Sequence, residues 1–360
     1  MDRNAIIFLS SIGLSSSNII KILDFSIEKN LALNEFLNLE ENQYKPLLKK
    51  VTFDKIKKFY CKYEEILENT LNKSQKLQVK ISTILDENYP SSLRRIEDSP
   101  AILYIRGKDI KLENNIAIVG ARKHTSYGIY AVNKFVDELS SYNFTIVSGM
   151  AYGIDALSHK RALEKNMKAI AVLGNGIDII YPKANTNLYM NLLDKATIVS
   201  EYPFGMKATK FTFPQRNRII SGLSEGVIVV EAKEKSGSLI TARLAAEQGK
   251  EVFAIPGNIN SIYSKGTNLL IRDGATPLLQ IEDILPFYPS IIKKEEEKHI
   301  IKNLPEDENL ILNLMEDGSI TIEEICNKSN FDVIYINSLL TKLELKSAIE
   351  KISLTEYRII

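Results

Sequence analysis

Six short apolar runs in this 360-residue chain each give way to glycine, hydroxyl, proline or charged residues, and those junctions are where chemistry is most readily placed. The first, Val119-Gly120-Ala121-Arg122 running on to Tyr127-Gly128, pairs a glycine that permits close backbone approach with a guanidinium suited to phosphate. The second is Ser148-Gly149-Met150-Ala151-Tyr152-Gly153-Ile154-Asp155, and the third is Gly174-Asn175-Gly176 followed by Tyr181-Pro182-Lys183. Several anion-accepting turns along one sheet edge imply an extended ligand rather than a single phosphate. The most cationic stretch is Lys207-Ala208-Thr209-Lys210-Phe211-Thr212-Phe213-Pro214-Gln215-Arg216-Asn217-Arg218, which holds no acid. Cations interleaved with rings are what unpaired nucleic acid needs, since the charges track phosphates while the rings stack on bases. The competing reading makes Phe211 and Phe213 alternating core residues. Arg216 and Arg218 cannot both enter a core without partners. Past the fifth run, Ser236-Gly237-Ser238 and Thr241 open a helix, where each hydroxyl either caps the helix or contacts phosphate.

Other chemistries are disfavoured by spacing. A dinucleotide fingerprint needs GxGxxG and an acid closing the second strand, whereas Gly120 and Gly128 stand eight apart and the second run ends in Ser148-Gly149. No GxxxxGK[ST] loop is present. Neither Ser148 nor Ser236 has the GxSxG setting of a nucleophile. Cys61 and Cys326 form no CxxC, and His124, His159 and His299 are scattered, so neither a metal site nor any cofactor is expected. The rival to a binding role is a phosphoribohydrolase-like enzyme that cleaves nucleotides, but its PGGxGTxxE signature is missing. Asp155 and Glu231 are its candidate carboxylates, and neither has an acidic partner.

The elements that must position these residues follow from periodicity. The runs 116–119, 144–147, 169–173, 197–199, 227–230 and 252–255 are nearly continuous in apolar residues, as in strands covered on both faces, and helical stretches separate them. This is the α/β pattern of a Rossmann-like, doubly wound sheet over 85–285. Fifteen of the 17 glycines lie between Gly107 and Gly274, which sets this region apart from its flanks. Residues 1–84 read as a small helical domain, of SAM-like or helix-hairpin-helix-like type. Its turn Ser10-Ser11-Ile12-Gly13-Leu14-Ser15 either approaches DNA or only joins two helices. A linker over 286–303 carries the charge run 293–298, and 304–360 reads as three helices and a short hairpin, the outline of a winged helix.

These motifs resemble the DNA-processing protein A (DprA/Smf) family. The matching residues are Tyr89-Pro90, Leu93, Asp98 and Pro100; the junctions at 119–122 and 148–155; Tyr181-Pro182; Ser200-Glu201-Tyr202-Pro203; the stretch 213–223; Ser236-Gly237-Ser238; Thr241-Ala242; and Pro256-Gly257. The resemblance implies a non-enzymatic, cytoplasmic protein that binds single-stranded DNA, forms a homodimer through its Rossmann-like domain and helps load the RecA recombinase during natural transformation. By motif position it implies contacts from Gly120, Arg122, Ser148, Gly149, Lys183, Lys210, Phe213, Arg216, Asn217, Arg218, Ser236, Gly237 and Thr241. Arg122 and Lys183 would hold phosphates, Lys210 the backbone and Phe213 a base, while Arg216 and Arg218 either bind DNA or stabilise the turn that shapes the pocket. Where the family often has serine after the first glycine, this chain has Ala121.

Charge adds a regional distinction that the total of +1 conceals. Residues 1–84 carry a net +3 and 85–303 a net +4, while 304–360 carry −6 from five basic and eleven acidic residues. An acidic helix repels phosphates, so the last domain is expected to meet protein rather than DNA. The N-terminus shows no cleavable signal pattern, and no apolar run reaches the ~20 residues of a membrane helix, so no membrane insertion is expected.

Overall fold

A computed structural model of the chain describes residues 1–294, 305–315, 318–346, 348–353 and 355–359. It divides into two compact units, 1–293 and 294–360. Parts of the expected linker and of the charge run at 293–298 lie outside the described residues. Residues 286–293, read from sequence as the start of that linker, pack on the sheet through Tyr288, whose ring lies 4.9 Å from Phe144 and whose hydroxyl donates to the Asn115 carbonyl at 3.3 Å.

The first unit is built on nine strands: β1 (Val79–Thr83), β2 (Ile102–Gly107), β3 (Asn115–Val119), β4 (Thr145–Ser148), β5 (Lys168–Val172), β6 (Thr197–Ser200), β7 (Gly226–Val229), β8 (Glu251–Ala254) and β9 (Thr276–Pro277). Their order is β1-β2-β6-β5-β4-β3-β7-β8-β9. From β6 to β9 every pair is parallel, while β2 pairs antiparallel with β6 and β1 with β2. The six expected strands are therefore present in a large, mostly parallel, doubly wound sheet. The sequence reading lacked β1, which lies inside the segment expected to be helical, and β2 and β9 as well.

Alternation along each strand feeds two separate cores. On one face Ile116, Ile118, Ile146, Ala171, Ile198 and Ile228 pack with the helices Ser126–Ser140 and Ile154–Glu164, and this core runs on into the N-terminal helices through Ile6, Phe8 and Ile22. On the other, Ala117, Val119, Val147, Val172, Val199 and Val229 pack with the helices Thr212–Gly222 and Gly237–Glu247. Burial on both faces is why the strands read as unbroken apolar runs. The chain winds from β3 through β6 in one direction and then returns to place β7 beside β3, so the crevice between those two strands is the topological switch point.

The N-terminal turn joins two helices, with Gly13 and Ser15 exposed and Ser10 and Leu14 buried. Gly13 takes the left-handed φ of +77° that lets the helix Arg3–Ser11 turn into Ser16–Glu28. The Ser11 hydroxyl donates to the Ile7 carbonyl and the Ser16 hydroxyl to Glu201 at 2.9 Å, so both are spent inside the fold.

Glu201 forms a buried ion pair with Arg218, which also reaches the exposed Asp98. Arg218 donates to it at 2.6 Å and to Asp98 at 3.1 Å, joining the helix Thr212–Gly222 to β6 and to the segment before β2. Desolvation alone would lower the Arg218 pKa, but the Coulombic pull of Glu201 and Asp98 outweighs it and holds the guanidinium above its ordinary value.

In the second unit the helices Glu306–Leu314, Ile322–Ser329 and Val333–Leu345 pack on a three-stranded antiparallel sheet of Ile320–Thr321, Glu356–Ile359 and Ile349–Lys351. Among the described residues no helix is long and apolar enough to cross a membrane.

Removing one member of a buried ion pair strands its partner. Arg218→Leu is expected to cost about 3–5 kcal/mol in denaturant unfolding, and adding Glu201→Leu should recover much of that. A double variant no more stable than the single one would show that the pair does not carry the effect.

Candidate functional site

A cleft of about 420 Å³ opens at the carboxyl end of the sheet. Its walls come from the turn after β3 (Gly120, Arg122), from the loop and helix between β6 and β7 (Thr209, Lys210, Phe213, Asn217), and from the start of the next helix (Ser236, Gly237, Ser238, Thr241). It therefore lies at the β3/β7 switch point. A smaller adjoining cavity of about 40 Å³ is bounded by Gly149, Met150, Tyr152, Leu173, Gly174 and Pro182, and it shares Arg122, Ala151, Tyr181 and Phe213 with the main cleft.

Phe213 stands between the two spaces. The Arg122 guanidinium sits 5.1 Å from its ring centre and the Tyr181 ring 5.8 Å from it. A Cβ at Gly174 would approach the Phe213 ring to 3.0 Å, so the glycine after β5 is what admits the ring. Phe213 lies in the first turn of the helix Thr212–Gly222 and Phe211 just before it is exposed, which sets aside the reading of both as alternating core residues. Phe211 is 67% exposed, with the Lys210 ammonium 5.1 Å from its ring centre.

Most of the expected residues converge here. Gly120, Arg122, Lys210, Phe213, Asn217, Ser236, Gly237 and Thr241 line the cleft, and Gly149 lines the side cavity. Four depart from the expectation. Ser148 is fully buried, its hydroxyl donating to the Ile118 carbonyl at 2.6 Å. Lys183 is exposed just past Pro182 and lines neither space. Arg218 points to the opposite side of its helix, into the ionic group with Glu201 and Asp98.

Arg216 forms part of the cleft wall, yet its guanidinium turns inward, 3% exposed, and donates to the carbonyls of Gly149 and Val172. It thereby ties the ends of β4 and β5 together. A Cβ at Gly149 would collide with this guanidinium, which explains the glycine. Burial pulls the Arg216 pKa below its ordinary value, and the nearby Asp155 charge opposes that shift. Asp155 is buried in turn, and burial lifts its carboxyl above the usual range against the pull of Arg216. Beneath them His159 is fully buried and neutral, burial pushing its pKa down to about 4.

The first anion-accepting turn is already filled from within. The helix Ser126–Ser140 begins where a doubly wound nucleotide-binding protein places its phosphates. Here Glu231, buried, accepts from the Thr125 amide at 3.0 Å and from the Thr125 hydroxyl at 2.5 Å. A Cβ at Gly128 would collide with the same carboxylate, so this glycine makes room for an internal anion. The sequence reading missed this use of Glu231, and it named Tyr181 in a junction without assigning it a contact. Among the described residues no group of three His, Cys, Asp or Glu could hold a metal ion.

The comparisons with known proteins agree on one family. The profile of DNA recombination-mediator protein A matches residues 80–289. The chain is 41% identical over 251 residues to the DNA processing protein DprA of Bacillus subtilis, spanning 68% of this chain and 84% of that protein. The X-ray structure of DNA processing protein A from Streptococcus pneumoniae is similar with a TM-score of 0.70 at 36% identity, covering 80% of this chain and 98% of that one. A structure of DNA processing protein A from Helicobacter pylori, reported for that protein's single-stranded DNA binding mode, is similar with a TM-score of 0.52 at 33% identity, covering 57% of this chain and 94% of that one.

The internal carboxylate gives a direct test. Glu231→Ala and Gly128→Ala should each destabilise the protein, by about 1–3 kcal/mol for the lost acceptor, and the double variant should cost less than the two added together. Strict additivity would show that Gly128 and Glu231 do not share this space.

Proposed function

The chain belongs to the DNA recombination-mediator protein A family, and on that premise we propose that it binds single-stranded DNA in the cleft at the β3/β7 switch point. One observation carries the reading. Arg122, Lys210, Asn217 and the hydroxyls of Ser236, Ser238 and Thr241 share one open cleft with Phe213. Cations and hydroxyls suit a phosphate backbone, and a ring beside them suits unpaired bases. The single-stranded DNA binding mode reported for the Helicobacter pylori relative supports the same reading.

In this proposal Arg122 and Lys210 hold phosphates, the glycines at 120, 149 and 237 allow close backbone approach, and Lys183 extends the path beyond Pro182. Arg216 and Arg218 shape the cleft and its supporting helix rather than touch the strand. Hydrolysis of a nucleotide would need a free pair of carboxylates. Glu231 instead spends its oxygens on Thr125, and Asp155 lies buried beside Arg216. The role is thus binding, within DNA processing during uptake and recombination, with the strand passed on to RecA in the cytoplasm.

The proposal extends to assembly. A homodimer through the Rossmann-like unit is supported by exposed apolar side chains beyond β8 and β9, with Ile259 87% exposed and Ile262 and Leu279 also open to solvent. The unit at 305–359 is taken as a winged helix. Its helix Val333–Leu345 exposes Ile334 and Leu345 within a region of net charge −6, and both features favour a protein partner over DNA.

Arg122→Glu should abolish binding to a single-stranded oligonucleotide in a low-salt gel shift while the thermal unfolding profile persists. Unchanged affinity would remove the site. Phe213→Ala should weaken binding with little change in the slope of log K against log salt, because a ring releases no counterions. A changed slope at constant affinity would contradict its role.

A further inference from the structure

The N-terminal helices hold a concentration of positive charge that the cleft does not use. Residues 45–62 carry seven lysines against one acid, Asp54, a local net of +6, while the rest of 1–84 sums to −3. Most of that charge sits on the helix Lys50–Tyr60. Phe53 and Ile56 form its buried side, and Lys50, Lys57 and Lys58 fall on its exposed side with Lys49 at the N-cap. The flanking lysines are neutralised, Lys45 by Glu41 at 3.4 Å and Lys62 by Glu65 at 3.9 Å. Among the described residues Lys49, Lys50, Lys57 and Lys58 join no ion pair, and Asp54 on the same side pairs with none of them.

This placement works against the helix itself. Lys49 at the N-cap makes no capping bond and the first turn holds no acid, although the positive end of the helix dipole favours hydroxyls and carboxylates there. Lysines left unpaired at such a cost are available to an outside polyanion. The helix also stands at the same edge of the sheet as the cleft. The Lys55 ammonium meets the Gly13 carbonyl at 3.5 Å, so the helix flanks the turn between the first two helices. Just past that turn Ser16 donates to Glu201, the residue that follows β6, and Lys73 pairs with Asp178 in the loop after β5 at 2.7 Å. No ring lies on the exposed side, since Phe59 and Tyr60 pack against the core.

We propose that this lysine face is a second DNA-binding site, which holds the phosphate backbone where the strand runs on beyond the cleft. The inference rests on the single-stranded-DNA reading of the cleft and adds a site separate from it. Ammonium groups without rings beside them contact phosphates and carry no information about bases. The lysine face therefore adds length and salt dependence to binding, and leaves any discrimination between bases to the cleft.

The test follows three oligonucleotides by fluorescence anisotropy: a thymidine strand only long enough to fill the cleft, the same strand extended with thymidines, and the same strand extended with abasic sugar-phosphate. Either extension should tighten binding to the unaltered protein. The combined variant Lys49→Gln, Lys50→Gln, Lys57→Gln and Lys58→Gln should weaken both extended strands about 10-fold, reduce their slope of log K against log salt by about 2–3, and leave the short strand unchanged. Arginine at the same four positions should restore the gain. An equal loss on the short strand, or a loss confined to the thymidine extension, would overturn the proposal. Unchanged binding of all three strands would also overturn it and leave the face to an acidic protein. Lysine acetylation of the unaltered protein needs no variant. Lys50 and Lys58 should be protected by the extended strands and not by the short one, and equal acetylation with all three would contradict the site. If Arg122→Glu bound the short strand normally while the lysine variant lost the extension gain, the reading of the cleft would fail instead.

Discussion

A guanidinium almost without water, that of Arg216, holds the carboxyl ends of β4 and β5 together, and the site depends on that contact. A buried cation is costly unless hydrogen bonds and a nearby counter-charge offset its lost hydration. The carbonyls of Gly149 and Val172 each accept from one nitrogen of the guanidinium and Asp155 supplies the counter-charge, while Nε is buried without a partner. The same contact explains Gly149, fixes the turn that carries Asp155, and anchors the helix whose first turn bears Phe213. With Arg216 in place, Phe213 lies against Gly174 and Tyr181, and the cleft and its side cavity take their shapes.

A second constraint decides what the cleft can hold. Doubly wound sheets present an open helix N-terminus at the switch point, and nucleotide-binding proteins fill it with phosphate. This chain fills it with Glu231. The remaining cations are Arg122 and Lys210, spread along an open cleft beside the Ser236 and Ser238 hydroxyls, which bond to each other at 2.8 Å. That distribution fits a strand of repeating phosphates better than one compact nucleotide.

How much of this could be read from sequence follows from the range of each interaction. The six central strands were legible because burial on both faces leaves unbroken apolar runs. In β1, Lys80 and Ser82 interrupt Val79 and Ile81, which blurs that signal. The apolar run of β2 resembles the central strands, but nothing in it announces an antiparallel partner. The glycine junctions and the cationic stretch marked the correct region of the surface. The fates of Arg216 and Arg218 were not legible, since residue type cannot say which way each faces. Two positions on a helix lie about 200° apart, enough to send Arg216 to the strand ends and Arg218 to Glu201. The role of Glu231 was hidden by separation, because its partner Thr125 lies 106 residues away in the chain.

A strand-binding cleft of this kind requires that the unaltered protein prefer unpaired strands. A titration of single-stranded and duplex DNA of matched length, repeated from low to high salt, tests it most directly. Tighter binding of the single strand is expected throughout, with affinity falling as salt rises and an advantage over duplex that persists once the charge contribution is screened. Equal affinities with identical salt slopes would contradict it, because a cleft that holds only phosphates has no means of telling the two apart.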